Sequence, residues 1–112
     1  MICDWGDVVV VPFPFTDLPL TKSRPALVLS ARGFNRANHH SIFAMITTAM
    51  RSSWPSDVQI ADLSSAGLPR PSVLRWKVFT VPNDLIRKKI GALTRLDRAA
   101  VFRARDTILL GT

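Results

Sequence analysis

The chain has no glutamate: all eight of its acidic residues are aspartate, set against fifteen lysines and arginines. Its one cysteine, Cys3, excludes an internal disulfide, and that thiol with the adjacent His39 and His40 falls short of a tetrahedral zinc site. No structural metal and no cofactor are therefore expected. No apolar stretch approaches the roughly 18 residues of a membrane span, and the opening Met-Ile-Cys-Asp-Trp-Gly-Asp has neither the basic start nor the apolar run of a signal peptide. The expectation is a cytoplasmic protein with no membrane partner. Repeats, linkers and low-complexity segments are also missing, and 112 residues suffice for one modest core, so the reading is a single domain over 1–112.

What is present is positive charge. A formal net charge of +7 draws polyanions to the surface, making RNA, DNA, acidic protein segments and anionic lipid all candidate partners. Charge alone does not choose among them.

The pattern of side chains reads as mainly β. Val8 to Phe15 is rich in β-branched and aromatic residues and follows the turn pair Gly6-Asp7, which predicts a first strand. Pro12 and Pro14 within it each remove a ladder donor, so its far end belongs at an edge or bulge. Further strands are predicted at Ala26 to Ser30, Ser41 to Thr47, Asp57 to Ala61 and Ser72 to Val81, and Asn83-Asp84 can cap a single turn leading into Lys89 to Leu93, for five or six strands in all. Ala31 to His40 reads as a loop, Ser52 to Ser56 as a turn, and Leu63 to Pro71 as a rigid connection rather than a helix. The clearest helix comes last: Thr94 and Asp97 resemble a capping box with Asp in place of Glu, Gly111 supplies the stop, and Val101, Ala104 and Ile108 form a narrow apolar stripe. Short strands with one terminal helix point to a small, strongly bent barrel with a helix packed on it.

Three segments carry a resemblance. Gly6 to Asp17 reads Gly-Asp-Val-Val-Val-Val-Pro-Phe-Pro-Phe-Thr-Asp and is followed by Ser23-Arg24-Pro25-Ala26-Leu27-Val28-Leu29-Ser30. Next comes Ala44-Met45-Ile46-Thr47-Thr48, and then Leu68-Pro69-Arg70-Pro71-Ser72-Val73-Leu74-Arg75, continuing through Thr80-Val81 to Leu85-Ile86-Arg87-Lys88-Lys89-Ile90-Gly91. In order and spacing these resemble the MazF/PemK toxins over nearly the whole chain. The resemblance implies an SH3-like barrel of the MazF/PemK/CcdB type with a C-terminal helix, usually a homodimer. It implies an endoribonuclease that cuts single-stranded RNA at short motifs without a metal, held inactive by a cognate antitoxin whose acidic, largely disordered segment wraps the dimer.

Carried over residue by residue, the family's catalytic arginine falls on Arg24 and its catalytic threonine on Thr47, with Thr48 as neighbour. Asp17, Lys22, His39, Arg75 and Lys77 are the candidate RNA-binding residues. The chain departs from the family after Arg75. An acid is often expected there, then a basic residue before Thr-Val; here Trp76 and Lys77 follow, one residue is missing before Thr80, and Phe79 stands in the basic place.

Metal-free cleavage uses the 2′-hydroxyl as nucleophile and gives a 2′,3′-cyclic phosphate and a 5′-hydroxyl. A planar, permanently charged guanidinium suits the charge on the non-bridging oxygens, which fits Arg24, whereas its pKa above about 12 makes it a poor base. A threonine hydroxyl donates to the same oxygens. For the base, His39, His40 and Asp17 remain open.

Each candidate has a plainer reading. Arg24 could pair with Asp7 or Asp17, terminal threonines are common on strands, and His39-His40 reads as a solvated pair. Arg75, Lys77 and Arg87-Lys88-Lys89 are either groove lining or solvated faces. Trp54 and Trp76 either stack on unpaired bases or sit in a core or dimer contact, and the terminal stripe is core or dimer interface. Two rival functions stand beside the nuclease: a non-catalytic toxin resembling CcdB that binds gyrase, and an inactive RNA-binding relative.

Overall fold

The computed structural model describes residues 1–14, 22–48 and 52–111. Six antiparallel strands form one sheet in the order β4-β5-β3-β2-β1-β6. These are β1 (Asp7–Pro12), β2 (Ser23–Val28), β3 (His40–Thr47), β4 (Val58–Gln59), β5 (Val73–Pro82) and β6 (Lys88–Ala92), with helices α1 (Arg32–Asn38), α2 (Leu63–Ala66) and α3 (Arg95–Leu110). The fold is mainly β, a curled half-barrel with a C-terminal helix.

Both faces of the sheet are buried, which explains the unbroken run Val8 to Val11. Val9 and Val11 join Phe13, Ala26, Val28, Phe43 and Phe79 on one side, while Val8 joins Leu27, Ala44, Ile46 and Leu74 on the other. A strand covered on both faces has no reason to alternate apolar with polar residues. Each fully buried Val or Phe contributes roughly 1.5–3 kcal/mol.

The curl brings the two edges together. α2, which follows edge strand β4, packs on the opposite edge strand β6, and a side chain at Gly91 would collide with the Ala66 backbone. α3 is tied down beside them, since both carboxylate oxygens of Asp97 accept backbone N–H groups, from Ala61 and Asp62, each at 3.0 Å.

Several expected boundaries move. The first strand ends at Pro12, as the second proline, Pro14, cannot extend the ladder; Phe15 lies outside the described residues. The expected loop Ala31 to His40 contains α1, whose middle residue Asn35 is fully buried and whose Nδ2 donates to the carbonyls of Cys3 and Ser30. Tertiary hydrogen bonds thus override a weak local preference. The expected rigid connection begins with α2, capped by Asp62 through the Ser65 N–H and stopped by Gly67 at φ 71°. The fourth strand is only two residues long. Thr94 does cap α3, accepting from Asp97 N, and Gly111 ends it. The carboxylate of Asp97, however, turns to Ala61 and Asp62 instead of completing a capping box.

Candidate functional site

Antiparallel pairing sets Ala26 opposite Met45 and Leu27 opposite Ala44; continued by two residues, that register places Arg24 opposite Thr47. Thr47 in turn faces Val73 of β5. The start of β2, the end of β3 and the approach to β5 therefore meet at one corner of the sheet. A cleft of about 220 Å³ opens there, lined by Arg24, Thr47, Thr48, Arg70 and Ser72 over a floor that includes Ile46.

Arg24 is half-buried, and its Nε is sealed from solvent without a hydrogen-bond partner among the described residues. A buried donor left unmade costs about 1–3 kcal/mol. The expected alternative, a pair with Asp7, does not form: Asp7 accepts from Asp4 N and pairs with Lys89 at 3.2 Å. Asp17, the other alternative and a candidate RNA contact, lies outside the described residues.

Thr47 is half-buried and Thr48 exposed. Among the described residues the Thr47 hydroxyl donates to the Thr48 carbonyl at 3.4 Å, long enough to be exchanged readily for a better acceptor. On the facing wall the Ser72 hydroxyl donates to the Arg70 carbonyl at 2.8 Å, fixing the bend that leaves the Arg70 side chain exposed. Two guanidinium groups and two threonine hydroxyls around one small cleft form an anion-binding arrangement. The described lining contains no carboxylate and no imidazole.

The other candidates are scattered. Lys22 is exposed, two residues before Arg24 at the same end of β2. His39 caps α1 in the left-handed region at φ 55°, and His40 begins β3, its Nδ1 within 2.9 Å of the Asn38 carbonyl. Thr47 ends that same strand. Seven steps of β-strand separate His40 from Thr47 by about 23 Å, so neither histidine reaches the cleft.

Arg75 is not a solvated groove residue. It is buried, its Nε and Nη2 donate to the two oxygens of Asp57 at 3.0 and 2.9 Å, and it also donates to the hydroxyl and carbonyl of Ser52. These bonds hold the Asp57 carboxyl below the usual carboxylate range and raise the Arg75 guanidinium further. The acidic partner of Arg75 is thus Asp57, eighteen residues away in sequence. Lys77 is half-buried where the β3–β5 register slips: Ala44 faces Val78 and Met45 faces Arg75, leaving Trp76 and Lys77 in a bulge.

Trp76 turns to a separate, larger groove of about 510 Å³ between α3 and the sheet, shared with Trp5, Leu29, Phe102 and Ile108. That lining is almost wholly apolar and offers packing rather than chemistry. Arg70 and Ser72 are not among the site residues expected from the sequence, although both lie in the segment Leu68 to Arg75 that carries the resemblance. No helix among the described residues is long and apolar enough to cross a membrane.

Comparison with known proteins gives a consistent result. The family described as PemK-like, MazF-like toxin of type II toxin-antitoxin system matches residues 4–109. Among solved structures, MazF from Deinococcus radiodurans aligns with a TM-score of 0.76 at 19% identity, over 100% of this chain and 99% of that one. A MazE-MazF complex from the same organism aligns at 0.73 and 22% identity, over 97% and 96%. An endoribonuclease in complex with its cognate antitoxin from a mycobacterial species aligns at 0.73 and 18% identity, over 96% and 93%. No curated protein sequence matches. With its fold shared and its sequence matched from residue 4 to residue 109, the chain belongs to the PemK-like, MazF-like toxins of type II toxin-antitoxin systems.

Proposed function

We propose that this protein is a sequence-specific endoribonuclease that cuts single-stranded RNA without a metal, the toxin of a toxin-antitoxin pair. The observation that carries the reading is the meeting of Arg24, with its partnerless Nε, and Thr47 in one cleft. The 2′-oxygen of one nucleotide attacks the adjacent phosphorus and the 5′-oxygen leaves, giving a 2′,3′-cyclic phosphate and a 5′-hydroxyl. Arg24 donates to the non-bridging oxygens as charge builds on them, and the Thr47 and Thr48 hydroxyls orient or donate to the same group. Among the described residues the cleft offers guanidinium and hydroxyl groups, a donor set that supports metal independence, because divalent ions in phosphoryl chemistry are commonly held by carboxylates.

Complexes of this fold with cognate antitoxins support an inhibitory partner, and a net charge of +7 suits an acidic one. Leu109 and Leu110, 65% and 71% exposed near the end of α3, support a homodimer contact. The expected place of action is the cytoplasm.

Purified protein incubated with long single-stranded RNA in EDTA tests the reading, alongside folded Arg24→Ala and Thr47→Ala variants. Site-specific cuts by the wild type, lost in both variants, are the expected result. A 5′-phosphate product would overturn the chemistry. Tight binding with no cutting across several RNAs would turn the reading to an inactive RNA binder.

A further inference from the structure

Trp54 is a large aromatic residue left 41% exposed in the polar segment Ser52-Ser53-Trp54-Pro55-Ser56, and three separate interactions hold it there. Its backbone N–H donates to Asp57 Oδ2 at 2.9 Å, and its carbonyl accepts from Asp57 N at 2.9 Å, closing the turn. Arg75 lies beneath the ring with its guanidinium carbon 5.1 Å from the centroid, while its Nη1 and Nη2 grip Ser52. The guanidinium is itself fixed by its two bonds to Asp57. An exposed indole needs none of this bracing to remain on a surface.

The register places this ring beside the cleft. Met45 faces Arg75 and Thr47 faces Val73, and directly opposed residues share a sheet face. Val73 and Arg75 are two residues apart on β5, so Arg75 emerges on the face that carries Thr47, about 7 Å further along. A nucleotide strand whose phosphate occupies the Arg24–Thr47 cleft and which follows this face of β5 meets the indole. The other described tryptophans, Trp5 and Trp76, line the apolar groove under α3 and are not placed to receive it.

We propose that Trp54 is a stacking platform for an unpaired base flanking the phosphate in the cleft, and that Arg75, rather than touching RNA, is a positioning residue that holds the indole flat through Asp57 and Ser52. The inference rests on the single-stranded RNA reading above. Arg75 covers part of the ring by cation–π contact, and the solvent-exposed part accepts the base, giving an arginine–indole–base stack.

The test has two arms. In the first, cleavage of a long single-stranded RNA in EDTA is mapped for the wild type, Trp54→Ala, Trp54→Phe, Arg75→Lys and the Trp54→Ala/Arg75→Lys double variant. All are first matched for folding by circular dichroism. Stacking on an aromatic ring sets the expected size: Trp54→Ala raises KM about tenfold with kcat little changed and loosens the base preference at one position, whereas Trp54→Phe keeps most of the wild-type pattern. Arg75→Lys moves KM the same way, and the double variant is no worse than Trp54→Ala, since both act through one ring. In the second arm, a non-cleavable 2′-O-methyl oligonucleotide is titrated against tryptophan fluorescence, with quenching expected in the wild type and strongly reduced in Trp54→Phe.

Wild-type cutting with an unchanged KM and site pattern in Trp54→Ala would overturn the platform and leave the nuclease standing. Trp54-dependent quenching by a wild type that cuts nothing would uphold the platform and remove the nuclease. Neither cutting nor quenching would overturn both.

Discussion

Asp57 holds Arg75 by two parallel hydrogen bonds, 3.0 Å from Nε to Oδ1 and 2.9 Å from Nη2 to Oδ2, with both side chains about nine-tenths buried. The bonds keep the Asp57 carboxyl ionised to lower pH in the folded chain than in the unfolded one. The stabilisation is therefore complete above the ordinary aspartate pKa near about 4 and is lost as pH falls through the lower, folded value. Asp57→Asn leaves a buried guanidinium without its counter-charge and should cost about 3 kcal/mol at neutral pH. Urea unfolding at pH 7 and at pH 3 checks this: the penalty should shrink at the lower pH, and an equal penalty at both would show that charge is not the cause.

Asn35 and Asn83 form the second buried polar centre. Asn35 Nδ2 donates to the carbonyls of Cys3 and Ser30, Asn83 Nδ2 donates to the Asn35 carbonyl, and the Ser41 hydroxyl donates to Asn83. Asn35→Asp preserves size but turns a double donor into an acceptor facing two carbonyls. It should destabilise by about 3 kcal/mol, as much as Asn35→Ala, because each unmet buried group costs about 1–3 kcal/mol. Thermal melts of the two variants decide it. A mild Asn35→Asp would mean that volume, not donation, is what the site requires.

The sequence was most legible where one residue type has one structural job. The Thr94 cap and the Gly111 stop act locally and are found as read, and the strand expected over Val8 to Phe15 is found over Asp7 to Pro12. Arg24 and Thr47 are expected together from the family pattern, and the structure brings them to one cleft. What stayed hidden depends on distant partners. α1 exists because Asn35 reaches Cys3, Asp97 serves Ala61 and Asp62 across the fold, and Arg75 looks like any basic strand residue until Asp57 is placed beside it. His39 and His40 are attractive in sequence as titratable groups, but His39 caps α1 and His40 begins the strand whose far end is Thr47.

Closure of the half-barrel gives a prediction at Gly91. A Cβ there would meet the backbone of Ala66 and Ser65, which has no flexible end to move aside, while the same addition at Gly33 in α1 meets nothing within 4 Å. Gly91→Ala should therefore separate α2 from β6 at a cost of about 2 kcal/mol or more. Gly33→Ala should instead stabilise by roughly 0.5 kcal/mol by restricting the unfolded chain. Chemical denaturation of both variants measures the contrast, and similar values for the two would contradict the close approach as the reason for glycine.

Arg24 and Arg70 face the same cleft but should fail differently. Arg24 is half-buried with its Nε already stripped of water, so its hydrogen bonds gain most as charge builds on the phosphate, and Arg24→Lys, which keeps charge but loses the planar fork, should lower kcat on the order of 100-fold. Arg70 is exposed, and a solvated cation attracts the phosphate before and during reaction alike. Arg70→Ala should raise KM with kcat within about tenfold of wild type, and should reduce the slope of log affinity against log salt by roughly 0.7, the share of one phosphate contact on a single strand. Initial cleavage rates of one RNA oligonucleotide across a salt series, with binding of its 2′-O-methyl counterpart, separate the two roles. If Arg70→Ala lowers kcat as far as Arg24→Lys does, both guanidinium groups act on the reacting phosphate and the division between capture and chemistry fails.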